Sequence, residues 1–278
     1  MSFPFLGLYS WVTDRLFPGK RGCLRVVLFH DVALEHEQKF VCLLDWLGQS
    51  WRFVSPRQFE LMISGQEPVE EDSLLVTFDD GFASNRLLAE RVLNPRGIKA
   101  LFFIVSEFAD LAEGADWRGF VAKNIYPDLK PHEVPSHGRN MSWSDLEFLL
   151  ETGHVIGGHT AHHARLSGGT LEELQAEIIG GAISLEQRLG IQIQHFAFTF
   201  GDLASASPEA LAVARTRFPF IYTGLRGNNG VGVPPWAIRR DSLRVTDPLS
   251  LAGALLKGGA DYYYRMLTRI YESWGVKP

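Results

Sequence analysis

Two adjacent carboxylates, Asp79 and Asp80, follow the apolar run Leu74-Leu75-Val76-Thr77-Phe78 and precede Gly81. Carboxylates side by side at the end of a buried strand repel each other, so a cation or several hydrogen bonds must satisfy them. A capping role is the plainer alternative, with Asp80 closing the start of the next helix and Gly81 relieving the turn. The histidines weigh against it. His159 and His163 stand four apart in His159-Thr160-Ala161-His162-His163, just after Val155-Ile156-Gly157-Gly158. Imidazoles at that spacing can converge on one ion, and a His, His, carboxylate set leaves one coordination position open, as in catalytic zinc sites. Such a histidine pair by itself suits a solvated surface equally well. Together with the Asp pair it makes Asp80, His159 and His163 the expected ligands of one divalent ion. Zinc suits these donors best, and cobalt, nickel or manganese fit the same ligand types.

These groups need elements that bring them together. Short runs rich in Val, Ile, Leu and Phe alternate with stretches of helical spacing, which predicts a parallel α/β sheet. Strands are expected at Arg25 to Phe29, Leu74 to Phe78, Ala100 to Val105, His154 to Gly157, Phe196 to Phe200, Phe220 to Thr223 and Ala237 to Arg239, with a weaker one at Arg52 to Val54. Helices fit Glu37 to Gln49, Pro56 to Ser64, Phe82 to Leu93, Ser142 to Glu151, Leu171 to Leu189, Pro208 to Arg215 and Asp261 to Trp274. Ser142 with Asp145, and Thr170 with Glu173, carry helix-start capping chemistry. His30-Asp31, Asp79-Asp80, His159 and Gly201-Asp202 all fall where apolar strands end, so a parallel barrel would gather them on one face. The whole chain, 1–278, reads as one catalytic domain. Residues 113–140, dense in Gly, Pro and charge, are expected to form an insertion over one rim.

Composition narrows the function. The 46% of hydrophobic residues allow a sizeable core, and a formal net charge of −5 provides no basic field to gather nucleic acid. Cys23 and Cys42 are too few for a disulfide framework. Residues 1–20 hold Phe3, Phe5, Leu6, Leu8, Trp11, Leu16 and Phe17, yet Pro4, Asp14, Arg15 and Pro18 break the run. The expectation is an amphipathic segment touching a membrane surface, or packing under the barrel, on a cytoplasmic protein peripheral to the inner face of the membrane. Oligomeric state is left open.

Thr77-Phe78-Asp79-Asp80-Gly81, followed by Gly157-Gly158-His159-Thr160-Ala161-His162-His163-Ala164-Arg165-Leu166, resembles the first two motifs of the polysaccharide deacetylases, the NodB-homology or carbohydrate esterase family 4 enzymes. The resemblance implies a single distorted (β/α)₇ barrel and metal-dependent hydrolysis of acetyl groups on sugars. It also implies Asp79 as general base, with Asp80, His159 and His163 as ligands. Phe196-Ala197-Phe198-Thr199-Phe200-Gly201 is similar to the third motif, with Thr199 where Pro is usual and Ala197 where many members have Arg. The N–H of Phe200 is the expected oxyanion donor, since that role needs no particular side chain. The missing Arg, which braces the catalytic Asp, is expected from Arg240 rather than Arg239. The family's late catalytic His is absent, since the last His is His195. Leu28-Phe29-His30-Asp31-Val32 is similar to the early motif of permuted poly-N-acetylglucosamine deacetylases, and implies His30 as general acid with Asp31 as its carboxylate partner.

The expected substrate is an N-acetylated amino sugar of a surface glycan or its precursor; Trp117, Trp143 and Trp236 could stack on sugar rings, of which Trp143 and Trp236 are the candidates, with core or rim packing the plainer role for each taken singly. Two rivals stand beside this. One is deformylation, or another amide hydrolysis, on a lipid-linked or nucleotide-linked sugar. The other is a carbohydrate-binding protein that holds metal without turnover, for which Asp79 would have no use.

Overall fold

The computed structural model describes residues 22–111, 114–230 and 232–275. The expected amphipathic segment at 1–20 lies outside them. Among the described residues there are eight strands: β1 Leu24–Phe29, β2 Arg52–Phe53, β3 Ser73–Phe78, β4 Leu101–Ile104, β5 Val155–Gly158, β6 His195–Ala197, β7 Phe220–Tyr222 and β8 Asp241–Ser242. Seven run in the order β7-β6-β5-β4-β3-β1-β8, every pairing parallel, while β2 pairs only the start of β3. Ile238 bridges to Tyr222 of β7, and Asp241–Ser242 pair with Val27–Leu28 of β1. The stretch 238–242 therefore reaches both edges of the curled sheet and draws its ends together, as in a distorted barrel.

Two expected strands are corrected. Ala237 to Arg239 contributes a single bridge, and pairing is carried by β8: Arg240, just before it, turns inward to Asp79, and Asp241 turns to the opposite side to pair with Arg25. Phe198 to Phe200 is not strand: the Gly201 N–H bonds the Thr199 carbonyl at 2.7 Å, forcing a tight turn.

The helices follow their spacing closely: α1 Glu37–Leu47, α2 Pro56–Ile63, α3 Ala83–Leu88, α4 Trp143–Glu151, α5 Leu171–Gln175, α6 Gly181–Leu189, α7 Pro208–Arg215, α8 Leu249–Leu256 and α9 Asp261–Trp274. A π turn extends α3 through Ala89–Leu93, and another at Ala176–Gly180 joins α5 to α6. Ser142 and Thr170 cap their helices as their sequences predict, each accepting a bond from the backbone N–H three residues on. Among the described residues no helix is long and apolar enough to cross a membrane.

Strand alternation decides which side chains enter the barrel. Val27, Phe29, Leu74, Val76, Phe78 and Phe102 join the cluster that also contains Phe40, Leu44, Leu88 and Leu93 of the surrounding helices. Leu24, Val26, Leu75, Leu101, Phe103, Ala197, Tyr222 and Ile238 form a second, inner cluster. Counting on by twos from Leu75 through Thr77 reaches Asp79, and from Ile238 it reaches Arg240. Both polar groups thus lie on the inward parity of their segments.

His154 fastens the entry to β5: the Ala100 N–H donates to Nδ1 at 3.0 Å, and Nε2 meets Asn94 Oδ1 at 3.1 Å. Burial, with Lys99 nearby, lowers its pKa to about 4. In the unfolded chain it titrates near 6.5, so between these values the unfolded state binds more protons. Stability is full above this window and is lost as pH falls through it, by roughly 3 kcal/mol over about 2.5 pH units. His154→Gln is expected to flatten that part of the stability curve. Denaturant titrations at pH 7, 5.5 and 4 check this, and equal slopes in parent and variant would refute it.

Candidate metal centre

The ends of β3 and β5 bring Asp80, His159 and His163 together, with one donor atom from each within 4.8 Å of the others. All three are buried. His159 and His163 present Nε2 at 3.5 and 3.3 Å from Oδ1 of Asp80. Neither Asp80 oxygen has a well-formed hydrogen bond, although both are buried. Four ligands placed tetrahedrally at 2.0–2.1 Å from zinc would stand about 3.3 Å apart, so this spacing fits an ion better than it fits direct pairing.

The opposite ring nitrogens are taken. Nδ1 of His159 meets the Ala197 carbonyl at 2.8 Å, and Nδ1 of His163 meets the Asn124 carbonyl at 2.9 Å. A carbonyl accepts only, so each ring carries its proton on Nδ1 and turns an Nε2 lone pair inward, the usual orienting device for metal-binding histidines. Burial raises the Asp80 carboxyl, but His159 and His163, with the more distant charge of His30, outweigh this and bring it well below the ordinary range. Burial lowers the His163 imidazole, and the same Asp80 contact raises it above its ordinary value.

Backbone strain is concentrated here. Among the described residues, the non-glycine residues with positive φ are Asp80, Thr160, His163 and Phe200, at 76°, 64°, 60° and 60°. That conformation is costly for a residue with a Cβ and persists where surrounding structure enforces it. At Asp80 the enforcement is a three-residue turn closed by Gly81 N–H to the Asp79 carbonyl at 3.0 Å. At the histidine loop, Ala161 N–H donates at 2.9 Å to the Glu177 carbonyl on the π turn. Gly181 of α6 approaches so near that a Cβ would meet Ala161 N and Thr160 C at 2.8 Å, so α6 can support the loop only with glycine there. His162 points elsewhere, pairing with Glu177 at 2.8 Å.

Asp79 is gripped by the guanidinium of Arg240. Arg240 donates Nη1 to Oδ1 at 2.6 Å and Nη2 to Oδ2 at 2.9 Å, while its Nε donates to the Thr223 carbonyl at 2.9 Å. Arg239 turns instead to Glu272 and the Asn228 carbonyl. His159 Nε2 lies 3.7 Å from Asp79 Oδ2, which places this carboxylate against the ligand set without joining it. In the third motif, Phe200 N–H makes no hydrogen bond among the described residues and sits one residue after Thr199. The Thr199 hydroxyl donates to the Ala164 carbonyl at 2.5 Å, tying this turn to the histidine loop, which the usual Pro could not do. The Phe200 ring packs on His163 with 4.6 Å between centroids.

His30 follows β1 directly and is exposed, close enough for its charge to be felt by Asp80. Its expected brace is not there. Asp31 accepts from Ser84 Oγ at 2.6 Å through Oδ1 and meets His137 Nε2 at 3.1 Å through Oδ2. The tryptophans expected at the sugar are engaged elsewhere. Trp143 donates its indole N–H to Asp110 and lies under Arg188, while Trp236 packs on Tyr271 of α9 beneath Arg215. Neither touches the ligand triad among the described residues.

The rim segment contributes more than its composition suggested. It carries its own apolar patch, Val121, Ile125 and Val134 against Phe82 and Phe108. Asn124 orients His163 as described, and Tyr126 stacks on Phe82 at 5.9 Å. Burial, then the charges of Asp80 and Asp31, raise the Tyr126 hydroxyl well above its ordinary pKa, so it stays protonated. Asn124, Tyr126 and His137 carry no periodic signal in sequence, and backbone carbonyls such as those of Asn124 and Ala197 carry none at all.

The geometry matches known proteins. The model of the family described as polysaccharide deacetylase matches residues 66–217. The protein YxkH of Bacillus subtilis (strain 168), named for the same family, is 22% identical over 161 residues, 56% of this chain and 48% of that protein. The chain thus matches about half the length of that curated relative. Among solved structures, IcaB from Ammonifex degensii has a TM-score of 0.66 at 22% identity, covering 85% of this chain and 98% of that one. The Streptococcus pyogenes deacetylase PplD gives 0.66 at 14%, covering 85% and 99%. The de-N-acetylase from Aggregatibacter actinomycetemcomitans gives 0.64 at 16%, covering 84% and 99%. These structural likenesses carry the curled barrel, and the family match takes in Asp79, Asp80, His159, His163 and Phe200 while leaving His30 and Arg240 outside. With a buried His, His, Asp triad at the strand ends and a family model spanning more than half of its length, the chain belongs to the polysaccharide deacetylase family.

Proposed function

We propose that this protein hydrolyses the N-acetyl group of an amino sugar in a surface glycan or its precursor, using one divalent ion, with zinc the first choice. The observation that carries the reading is the split between the two adjacent carboxylates. Asp80 turns unpaired oxygens toward two imidazoles, while Asp79 is held by Arg240 in a two-pronged grip beside them. A site that only bound metal would have no use for the second. Names of the relatives agree: one is a de-N-acetylase, and another is a deacetylase solved in complex with acetate.

An ion held by Asp80, His159 and His163 supplies Lewis acidity for water and for the acyl oxygen. Asp79, held in position by Arg240, accepts a proton from the attacking water. Phe200 N–H, presented by its strained turn, donates to the oxyanion. His30, at the mouth above β1, passes a proton to the departing nitrogen, which leaves poorly as an anion. Purified, metal-loaded protein is to be incubated separately with N-acetylglucosamine oligomers and with N-formylglucosamine while acetate and formate are both measured. Acetate release supports this reading, formate alone from formylated sugars favours the deformylase, and neither favours the binding protein.

His30→Ala is expected to retain the ion and to slow amide hydrolysis by about 10²-fold, while activated aryl acetates, whose leaving groups need no proton, lose far less. Equal losses on both substrates would remove His30 from proton transfer.

A further inference from the structure

We propose that His137, paired with Asp31, is a substrate-binding residue that holds a hydroxyl of the sugar beside the reacting amide. The inference rests on the deacetylase reading and adds a subsite to it. Asp31 stands one residue beyond His30 at the end of β1, on the face where the metal ligands gather. Its side chain is 7% exposed, whereas that of His137 is 36% exposed, so the carboxylate is covered and the imidazole is open to a ligand. The neighbourhood belongs to the reaction site: Tyr126 feels the charges of both Asp31 and Asp80, and Asn124 of the same segment orients His163.

The polar geometry specifies what would bind. Ser84 Oγ donates to one oxygen of Asp31, and His137 Nε2 stands 3.1 Å from the other in an ion-pair contact. Nδ1, on the other side of the ring, makes no hydrogen bond among the described residues and is left for a ligand. A free nitrogen on a partly open imidazole suits a hydroxyl, which can donate or accept and is the group that a sugar offers most densely. A purely structural pin is the plainer role for the pair, but this stretch is already stitched down twice nearby. Ala83 N–H donates to the Arg139 carbonyl and Met141 N–H to the Gly81 carbonyl, each at 2.8 Å. Covering a carboxylate to add a third pin would cost desolvation for little gain.

The test compares the parent with His137→Ala, His137→Gln and Asp31→Asn on an N-acetylglucosamine oligomer and on 4-nitrophenyl acetate, which has no sugar. For His137→Ala the KM for the oligomer is expected to rise about tenfold, the scale of one lost hydrogen bond in a recognition site, with kcat changed far less. The rate on 4-nitrophenyl acetate should move less than about twofold, since no hydroxyl is read there. Asp31→Asn should weaken oligomer binding in the same direction, and His137→Gln, which retains an acceptor, should recover part of the loss. Calorimetric binding of the oligomer to metal-loaded Asp79→Asn, with and without His137→Ala, reads the subsite without turnover. Weaker binding in the double variant supports the proposal even if the parent releases no acetate, in which case the deacetylase reading fails alone. Unchanged binding, or equal losses on oligomer and aryl ester, would overturn it.

Discussion

Asparagine at position 79 is expected to leave the ion in place and to lower the rate of N-acetyl hydrolysis by about 10³-fold. The reason is that the two neighbouring carboxylates do different work in different directions. Asp80 contributes the ligand oxygen, so the donor set survives the change intact. Asp79 gives both oxygens to Arg240 and lies 3.7 Å from His159 Nε2. An amide at this position cannot accept a proton from water. It also turns an NH₂ group toward one guanidinium nitrogen, where donor would face donor. Part of any loss could therefore be loss of fold, which a melting curve and a metal analysis on the same preparation separate. A variant that folds, retains its ion and turns over at the parental rate would remove Asp79 from the reaction.

Much of this arrangement was legible in the chain. Runs such as Leu74 to Phe78 are apolar on both parities because β3 is buried on both faces, so the run and the Asp pair after it are visible together. The His159 to His163 spacing was equally plain. Arg240 was harder: Arg239 and Arg240 are indistinguishable by type, and only the inward parity set by Ile238 sends one to Asp79 and leaves the other to Glu272. β8 was missed because a two-residue strand held by the ion pair of Arg25 with Asp241 looks like surface charge. Phe198 to Phe200 read as strand because its residues are apolar, and nothing in their types announces the positive φ of Phe200. The assignment of Asp31 to His30 followed adjacency, yet neighbours on an extended backbone point to opposite sides, and Asp31 meets residues of the rim segment and α3 instead. Trp143 and Trp236 had the right chemistry for stacking on a sugar, but Asp110 and Tyr271 already engage them.

Replacing His163 by alanine is expected to release the ion and with it nearly all activity, a larger effect than any change to the residues around the triad. His163 provides one of the three donors, and the ring is aligned for that task alone, with Nδ1 on the Asn124 carbonyl and Nε2 toward Asp80. Two remaining ligands do not hold a catalytic ion at ordinary concentrations, because affinity depends on the full donor set and its fixed orientation. Folding provides a readout that needs no substrate. An ion that binds only the folded state at 100 times its Kd adds about 2.7 kcal/mol of stability. For a chain of this size that corresponds to roughly 5 °C in Tm. The parent, stripped by chelator, should recover that increment when zinc is added, and His163→Ala should not. His159→Ala should behave alike, since Ala197 orients that ring in the same manner. Asp79→Asn should keep the increment while losing turnover, so the three variants together separate holding the ion from using it. If His163→Ala responds to zinc as the parent does, the triad is not the metal site, and the unpaired oxygens of Asp80 must be satisfied in another way.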